Sequence, residues 1–187
     1  MLVFFDIDTQ RDFLNKDGRL YVKGTTMWKK KNLKKLILYA IDNNIPIVST
    51  MDTHTKNDKE FIENGGKFPE HCIHGSYGWK KIRDTDVSGY SGLYVINKNT
   101  FDMFSNPETD ILLSKLDFSV AVVFGVATDY CIKAAVLGLL ERKKKVYVVA
   151  DAIKGVSPAA TIKAIREMTE KGTKFVMTED ILKSWLQ

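Results

Sequence analysis

The sequence predicts an α/β fold: three layers, αβα, built on a six-stranded, mostly parallel sheet. Three observations carry that prediction. Six short runs rich in branched and aromatic residues alternate along the chain with segments whose apolar residues recur every three or four positions. Strands separated by helices in this way favour parallel pairing, with both faces of the sheet covered. The 187 residues contain neither an internal repeat nor a linker, which reads as one domain over 1–187 with a sizeable core.

Leu2–Ile7 is a short apolar strand. Met27–Asn43 places Leu33, Leu36, Ile37, Ala40 and Ile41 on one helical face, and Asn43-Asn44 closes the helix. Ile45–Thr50 reads as the second strand, with Pro46 near its start, where a proline is tolerated. Residues 52–90 are polar and glycine-spotted, and a loop of that length in a compact domain is usually functional or disordered. Leu93–Ile96 is the third strand, Thr109–Leu116 a short helix, Val120–Phe124 the fourth strand, and Asp129–Arg142 the following helix. Val146–Ala150 is the fifth strand. Pro158–Lys171 is a helix with proline in its first turn and Gly172 as terminator. Lys174–Met177 is the sixth strand, and Glu179–Leu186 a closing helix.

The composition, 44% hydrophobic and 27% charged, is that of an ordinary globular protein. The net charge of +5 gathers partly in Lys29-Lys30-Lys31 with Lys34-Lys35 and partly in Arg142-Lys143-Lys144-Lys145. Neither run is interleaved with aromatics or glycines, so both read as solvated helix faces and ends rather than as a nucleic-acid or membrane patch. The second run suits a helix C-terminus, where the dipole stabilises cations. Two cysteines, Cys72 and Cys131, are too few for a disulfide framework. The N-terminus lacks the basic region and apolar core of a signal peptide, and no apolar stretch approaches the roughly 20 residues of a membrane span. Free thiols in a reducing cytoplasm are the expectation.

In sheets of this class, ligands bind beyond the carboxyl ends of the strands. The first strand runs into Asp8, the second into Asp52-Thr53-His54, the third into Asn97-Lys98, the fourth into the turn that holds Cys131, and the fifth into Asp151. Each alone has an ordinary explanation: an aspartate after a strand is often a cap or turn residue, and a lysine there is usually just solvated. Together they form a set of acid, base and nucleophile. A free thiol is only a few per cent thiolate at neutral pH. Asp8 is placed to take its proton, Lys98 to hold Asp8 and add positive charge, and the opening of the helix after the fourth strand to favour the thiolate further.

Asp52 and His54 are two residues apart, so on an extended segment their side chains point the same way. His71 follows in the same loop. Two histidines and a carboxylate suit a divalent transition metal, with zinc, iron(II) and manganese(II) all compatible. Glu60, Glu63 and His74 are further candidate ligands that spacing does not separate. The same residues would also serve as a hydrogen-bonded loop cluster. Cys72 reads as a small buried residue.

These residues resemble the isochorismatase-like cysteine hydrolases, whose fold is Rossmann-like, and within them the nicotinamidases, also called pyrazinamidases. Asp8-Thr9-Gln10-Arg11-Asp12-Phe13 is similar to the family's opening Asp-x-Gln-x-Asp-Phe, and Lys98 with Phe104 and Thr109-Asp110 to its lysine segment. Gly125-Val126-Ala127-Thr128-Asp129-Tyr130-Cys131 matches its nucleophile segment, and Asp151-Ala152-Ile153-Lys154-Gly155 its later Asp-Ala-x-x-Gly. The resemblance implies a catalytic triad of Asp8, Lys98 and Cys131. It also implies a cis peptide between Val126 and Ala127, and an oxyanion hole made by the N–H groups of Ala127 and Cys131. It further implies a metal, zinc first among the candidates, on Asp52, His54 and His71, and a small aromatic amide such as nicotinamide or pyrazinamide as substrate. Phe13, Phe68, Ala127 and Tyr130 would line the substrate site. The expected activity is hydrolysis to nicotinate and ammonia in NAD salvage; the alternative keeps the triad and changes the substrate to another small amide, a ureido compound or isochorismate. Family members often assemble as homo-oligomers, but no segment here declares an interface. Thr53, Thr55 and Phe68 depart from the family's usual aromatic walls, which places the exact substrate, more than the chemistry, in question.

Overall fold

The computed structural model describes residues 1–25 and 27–184. Its six strands are β1 (Leu2–Ile7), β2 (Ile47–Asp52), β3 (Leu93–Lys98), β4 (Val120–Val126), β5 (Lys145–Lys154) and β6 (Lys174–Val176). They form one sheet in the order β3-β2-β1-β4-β5-β6, and every neighbouring pair is parallel. The predicted mostly parallel sheet is thus fully parallel among the described residues. The helices are α1 (Arg11–Leu14), α2 (Met27–Asp42), α3 (Glu108–Leu116), α4 (Lys133–Glu141), α5 (Pro158–Glu170) and α6 (Thr178–Ser184). The expected end of the last helix, at Leu186, lies outside the described residues.

Alternation along β1 divides the core into two layers. Val3, Phe5 and Ile7 face one side of the sheet, where Leu113 and Leu116 of α3, Val136 and Leu139 of α4, and Met168 of α5 cover them. Phe4 faces the other side, against Leu33, Leu36, Ile37 and Ala40 of α2 and Ile181 of α6. The spacing of these helical residues is the three-to-four period that a covering helix requires. Ser157 caps α5, Pro158 occupies its first turn, and Gly172 follows it at φ +102, a conformation open to glycine.

Four strands run farther at their carboxyl ends than periodicity suggests. β2 and β3 continue to Asp52 and Lys98, because the residues at these ends still pair, Met51 with Asn97 and Asp52 with Lys98. β4 and β5 continue to Val126 and Lys154, which pair with each other, so Asp151 lies within β5 rather than after it. Hydropathy hides them, since a strand end can be polar and remain in register. The helix expected over Asp129–Arg142 is in fact two pieces, a π-helical turn at Thr128–Ile132 and then α4. Three short turns were not anticipated: α1, and the 3₁₀ turns at Ile62–Asn64 and Met103–Ser105.

From the centre of the sheet the chain winds outward both ways, to β2 and β3 on one side and to β5 and β6 on the other. The switch point therefore lies between β1 and β4, and the crevice at their carboxyl ends is where such sheets bind ligands. Gly125 is required there: a Cβ on it would collide with the carbonyl of Ile7, and its φ is +121.

Candidate active site

The three residues that sequence placed after strands 1, 3 and 4 meet in this crevice. Asp8 follows β1, Lys98 ends β3, and Cys131 sits in the π-helical turn after β4. Lys98 Nζ lies 2.7 Å from Asp8 Oδ2 and 3.6 Å from Cys131 Sγ. All three are buried. Burial works against the charge on Lys98, yet Asp8, Cys131 and Asp52 hold its pKa well above the usual lysine range. The thiol corrects one expectation. Burial pushes the Cys131 pKa well up; Lys98 pulls it back, while the charges of Asp8 and Asp52 push it further. Cys131 precedes α4 by two residues inside the π-helical turn, so any help from the helix is outweighed by desolvation. Burial and the two carboxylates thus favour the neutral thiol, whose sulfur accepts from Lys98 Nζ.

The turn that carries Cys131 is held locally. The Val126–Ala127 peptide is cis, as the resemblance implied. The Ala127 carbonyl accepts the N–H groups of both Tyr130 and Ile132. The Asp129 carboxylate accepts from the N–H groups of Val156 and Ser157 at 2.9 and 3.0 Å, tying the turn to the segment after β5. Asp151, also noted from sequence, is a structural residue: it accepts from Thr178 N and Oγ1 and from Asn32 Nδ2.

Beside this trio lie Asp52, His54 and His71, whose candidate ligand atoms fall within 4.8 Å of one another. Asp52 Oδ2 is 3.2 Å from the Nε2 of each histidine. Of the further candidates, Glu60 joins them: its Oε1 is 3.4 Å from His54 Nε2 and 3.3 Å from His71 Nε2. Glu63 is exposed on the 3₁₀ turn, and His74 packs on Trp79 away from the cluster. His71 Nδ1 lies 2.9 Å from the Pro69 carbonyl, which can only accept, so Nδ1 carries the proton and Nε2 presents a lone pair. Asp58 Oδ2, 2.7 Å from His54 Nδ1, favours the same tautomer there. His54 Nε2 is buried and without a hydrogen-bond partner. Two imidazole lone pairs and two carboxylate oxygens thus converge with no donor among them, an arrangement that calls for a proton or a cation. In the metal-free chain the proton goes to His54: burial opposes it, but the contact with and charge of Asp52, the Asp58 hydrogen bond and Glu60 raise its pKa to about 9. Burial likewise opposes ionisation of Asp52, yet Lys98 and the two histidines hold its pKa far below the carboxylate range. The donor set fits a divalent metal.

Asp52 spans both groups. Its Oδ1 is 3.3 Å from Lys98 Nζ, while its Oδ2 faces the histidines. Its peptide is gripped by Gln10, whose Oε1 accepts Asp52 N and whose Nε2 donates to Asp52 O, each at 2.8 Å.

A cavity of about 250 Å³ opens onto Asp8, Asp52, His71, Ala127 and Cys131. Phe13, Phe68 and Tyr130 line it as expected, and Phe13 and Phe68 also flank the His71 ring. Sequence reasoning missed Phe101, which stands between Phe68 and Tyr130 at centroid distances of 5.9 and 5.0 Å. An aromatic side chain alone in the polar stretch Asn99–Asp102, just past a strand end, was the available signal. Arg19, Tyr21 and Val156 also line the cavity and gave none. Of the departures from the family's aromatic walls, only Phe68 reaches the cavity; Thr53 hydrogen-bonds Trp79 Nε1 and Asn97, and Thr55 bonds Asp58. Cys72 is buried, as expected; its N–H donates to Asp12 and its carbonyl accepts His54 N–H, so its backbone ties the segment that carries His54 to Asp12. Among the described residues no helix is long and apolar enough to cross a membrane.

Comparison with known proteins agrees with this architecture. The nicotinamidase of Escherichia coli is 25% identical, over 93% of each chain. The nicotinamidase/pyrazinamidase of Mycobacterium tuberculosis is also 25% identical, over 91% of this chain and 95% of its own. The crystal structure of the pyrazinamidase of Pyrococcus horikoshii in complex with zinc superposes with a TM-score of 0.82 at 28% identity, covering 94% of this chain and 98% of that one. The model of the isochorismatase domain matches residues 2–180, nearly the whole sequence, and the chain belongs to the isochorismatase domain family.

Proposed function

We propose that this protein is a nicotinamidase, a cysteine amidohydrolase that converts nicotinamide to nicotinate and ammonia and accepts pyrazinamide. The observation that carries the reading is that a buried Asp–Lys–Cys trio and a His/His/carboxylate donor set lie side by side under one cavity of about 250 Å³, which opens onto Asp8, Cys131, Asp52 and His71 and is walled by aromatics. That volume is below the common range of about 300–1,000 Å³ for ligand sites and suits a single small ring. The relatives at 25% identity point to the same chemistry.

Asp8 takes the Cys131 proton as the sulfur attacks the carboxamide carbon, and Lys98 stabilises the thiolate as it forms. The oxyanion is received by the N–H groups of Ala127 and Cys131. Collapse breaks the C–N bond while Asp8 returns the proton to nitrogen, and ammonia leaves a thioester. Asp8 then deprotonates a water that attacks the thioester; the C–S bond breaks, the thiol is restored and nicotinate departs. Asp52, His54 and His71, with Glu60 adjacent, would hold a divalent metal, zinc first among the candidates. Such an ion would supply a Lewis acid for the ring nitrogen. Phe13, Phe68 and Tyr130 bracket the ring.

Purified, metal-loaded protein incubated with nicotinamide should release ammonia and nicotinate in equal amounts, and Cys131→Ala should abolish both. A panel with pyrazinamide, ureido compounds and isochorismate tests the substrate. Turnover of isochorismate or a ureide with none of nicotinamide would overturn the reading.

A further inference from the structure

Asp8 needs more than Lys98 to be held as a base. It follows the end of β1 with φ +46, a left-handed conformation that side chains rarely adopt, so its position depends on what grips it. The residue that grips it is Thr50. β1 and β2 pair in register at Ile7 and Thr50, which brings the Thr50 hydroxyl beside the first residue after β1. Its Oγ1 accepts the Asp8 N–H at 3.1 Å and donates to Asp8 Oδ1 at 2.6 Å. A hydroxyl has one proton, and here it goes to the carboxylate. Lys98 occupies the other oxygen, Oδ2, at 2.7 Å. Thr50 is itself pinned from behind: its carbonyl accepts from Lys81 Nζ at 3.0 Å, and Lys81 is locked by Asp6 Oδ2 at 2.9 Å. Thr50 is fully buried, so no water competes for its hydroxyl.

We infer that Thr50 is a positioning residue for Asp8, which makes the backbone and carboxylate of the base one rigid unit and aims the carboxylate's remaining acceptor capacity at the Cys131 thiol. The inference rests on the proposed roles of Asp8 and Cys131. Two bonds from one hydroxyl, to the N–H and to the carboxylate of the same residue, fix both the backbone and χ1 of Asp8. Without them only the contact with Lys98, at one oxygen, would hold the carboxylate. A hydroxyl without such a role would be readily replaced by valine, which has the same shape and favours strands.

The test compares Thr50→Val, Thr50→Ala and Thr50→Ser by two readouts. One is kcat and KM for nicotinamide; the other is the rate of Cys131 alkylation by iodoacetamide, which needs no substrate and so stands even if nicotinamide is not turned over. A hydrogen bond to a charged group carries about 10- to 100-fold. Thr50→Val and Thr50→Ala should lower kcat and the alkylation rate by that factor with KM within about twofold, and Thr50→Ser, which keeps the hydroxyl, should recover both to within about threefold. Thr50→Ala cannot overpack, so it carries the comparison if Thr50→Val does not fold. Wild-type alkylation in the valine or alanine protein would overturn the inference. A loss in Thr50→Ser equal to that in Thr50→Ala would overturn it too, because the methyl group rather than the hydroxyl would then matter.

Discussion

Replacing Lys98 by methionine removes one charge and little volume from the centre of the site. Lys98 Nζ is 3.6 Å from the Cys131 sulfur, and the residue is 4% exposed, so bulk water does not screen the pair. With an effective dielectric constant of about 20, unit charges at that separation attract by about 4–5 kcal/mol, or roughly 10³-fold in thiolate formation. Thr50 remains to hold Asp8, so the loss should be mainly electrostatic. The metal-loaded Lys98→Met protein should therefore lose about 10³-fold in kcat/KM for nicotinamide, and its Cys131 should alkylate more slowly by a similar factor. Removing the cation also leaves Asp8 and Asp52 buried without it, a destabilisation of about 3–5 kcal/mol. Chemical denaturation checks that cost, and Asp8→Asn/Lys98→Met should regain much of the stability and none of the activity. Lys98→Met retaining more than a tenth of both wild-type rates would refute the electrostatic role given to Lys98.

Three further outcomes follow from the same geometry. In metal-free protein the His54 pKa rises from 6.5 to about 9, so its proton stabilises the fold fully below pH 6.5 and that contribution is lost as pH climbs through 9. A divalent cation must displace that proton, so calorimetric titrations with zinc should give an apparent affinity that climbs up to about tenfold per pH unit until pH 9, and flat affinity from pH 7 to 9 would contradict it. Asp58→Asn, which weakens the hold on His54 Nδ1 without touching the cluster, should lower zinc affinity about 10- to 100-fold in a chelator competition. Lys81→Met strands buried Asp6 with only the hydroxyls of Thr9 and Ser49 and should destabilise the chain by about 3–5 kcal/mol in urea, whereas Asp6→Leu/Lys81→Met should return most of it; equal stability of the two variants would refute the pairing.

The order of strands and helices was legible because burial on both faces leaves apolar runs, and helices that cover a sheet show a three-to-four period. The site was legible for a related reason. In a parallel sheet all strand ends of one kind share an edge, so Asp8, Asp52, Lys98 and the Cys131 turn were bound to be neighbours once the strands were placed. The ends of β2 and β3 were not, because Asp52, Asn97 and Lys98 pair as strand residues while carrying loop-like polarity. Glu60 could not be told from Glu63 by spacing; the backbone pairing of Phe61 with Phe68 decides it by folding the loop back so that Glu60 meets both histidines. The thiol was misjudged for a different reason. A helix opening is visible in sequence, whereas the desolvation that outweighs it is a property of the assembled core.

Asp52 joins the two halves of the site with opposite consequences for each, and that separates their contributions. Through Oδ2 it belongs with the donor set, so Asp52→Asn should cost metal affinity and turnover. Through Oδ1 it draws on Lys98, and its charge raises the Cys131 pKa. Removing that charge leaves Lys98 to act on Asp8 and the sulfur alone. In metal-free protein, Asp52→Asn should therefore speed alkylation of Cys131 even as nicotinamide turnover in zinc falls. His71→Ala removes a ligand that does not touch Lys98, so it should lower turnover while leaving alkylation near the wild-type rate. If alkylation of Asp52→Asn fell in step with turnover, Asp52 would be supporting Lys98 rather than competing with the sulfur for it, and the division of its two oxygens between metal and nucleophile would be wrong.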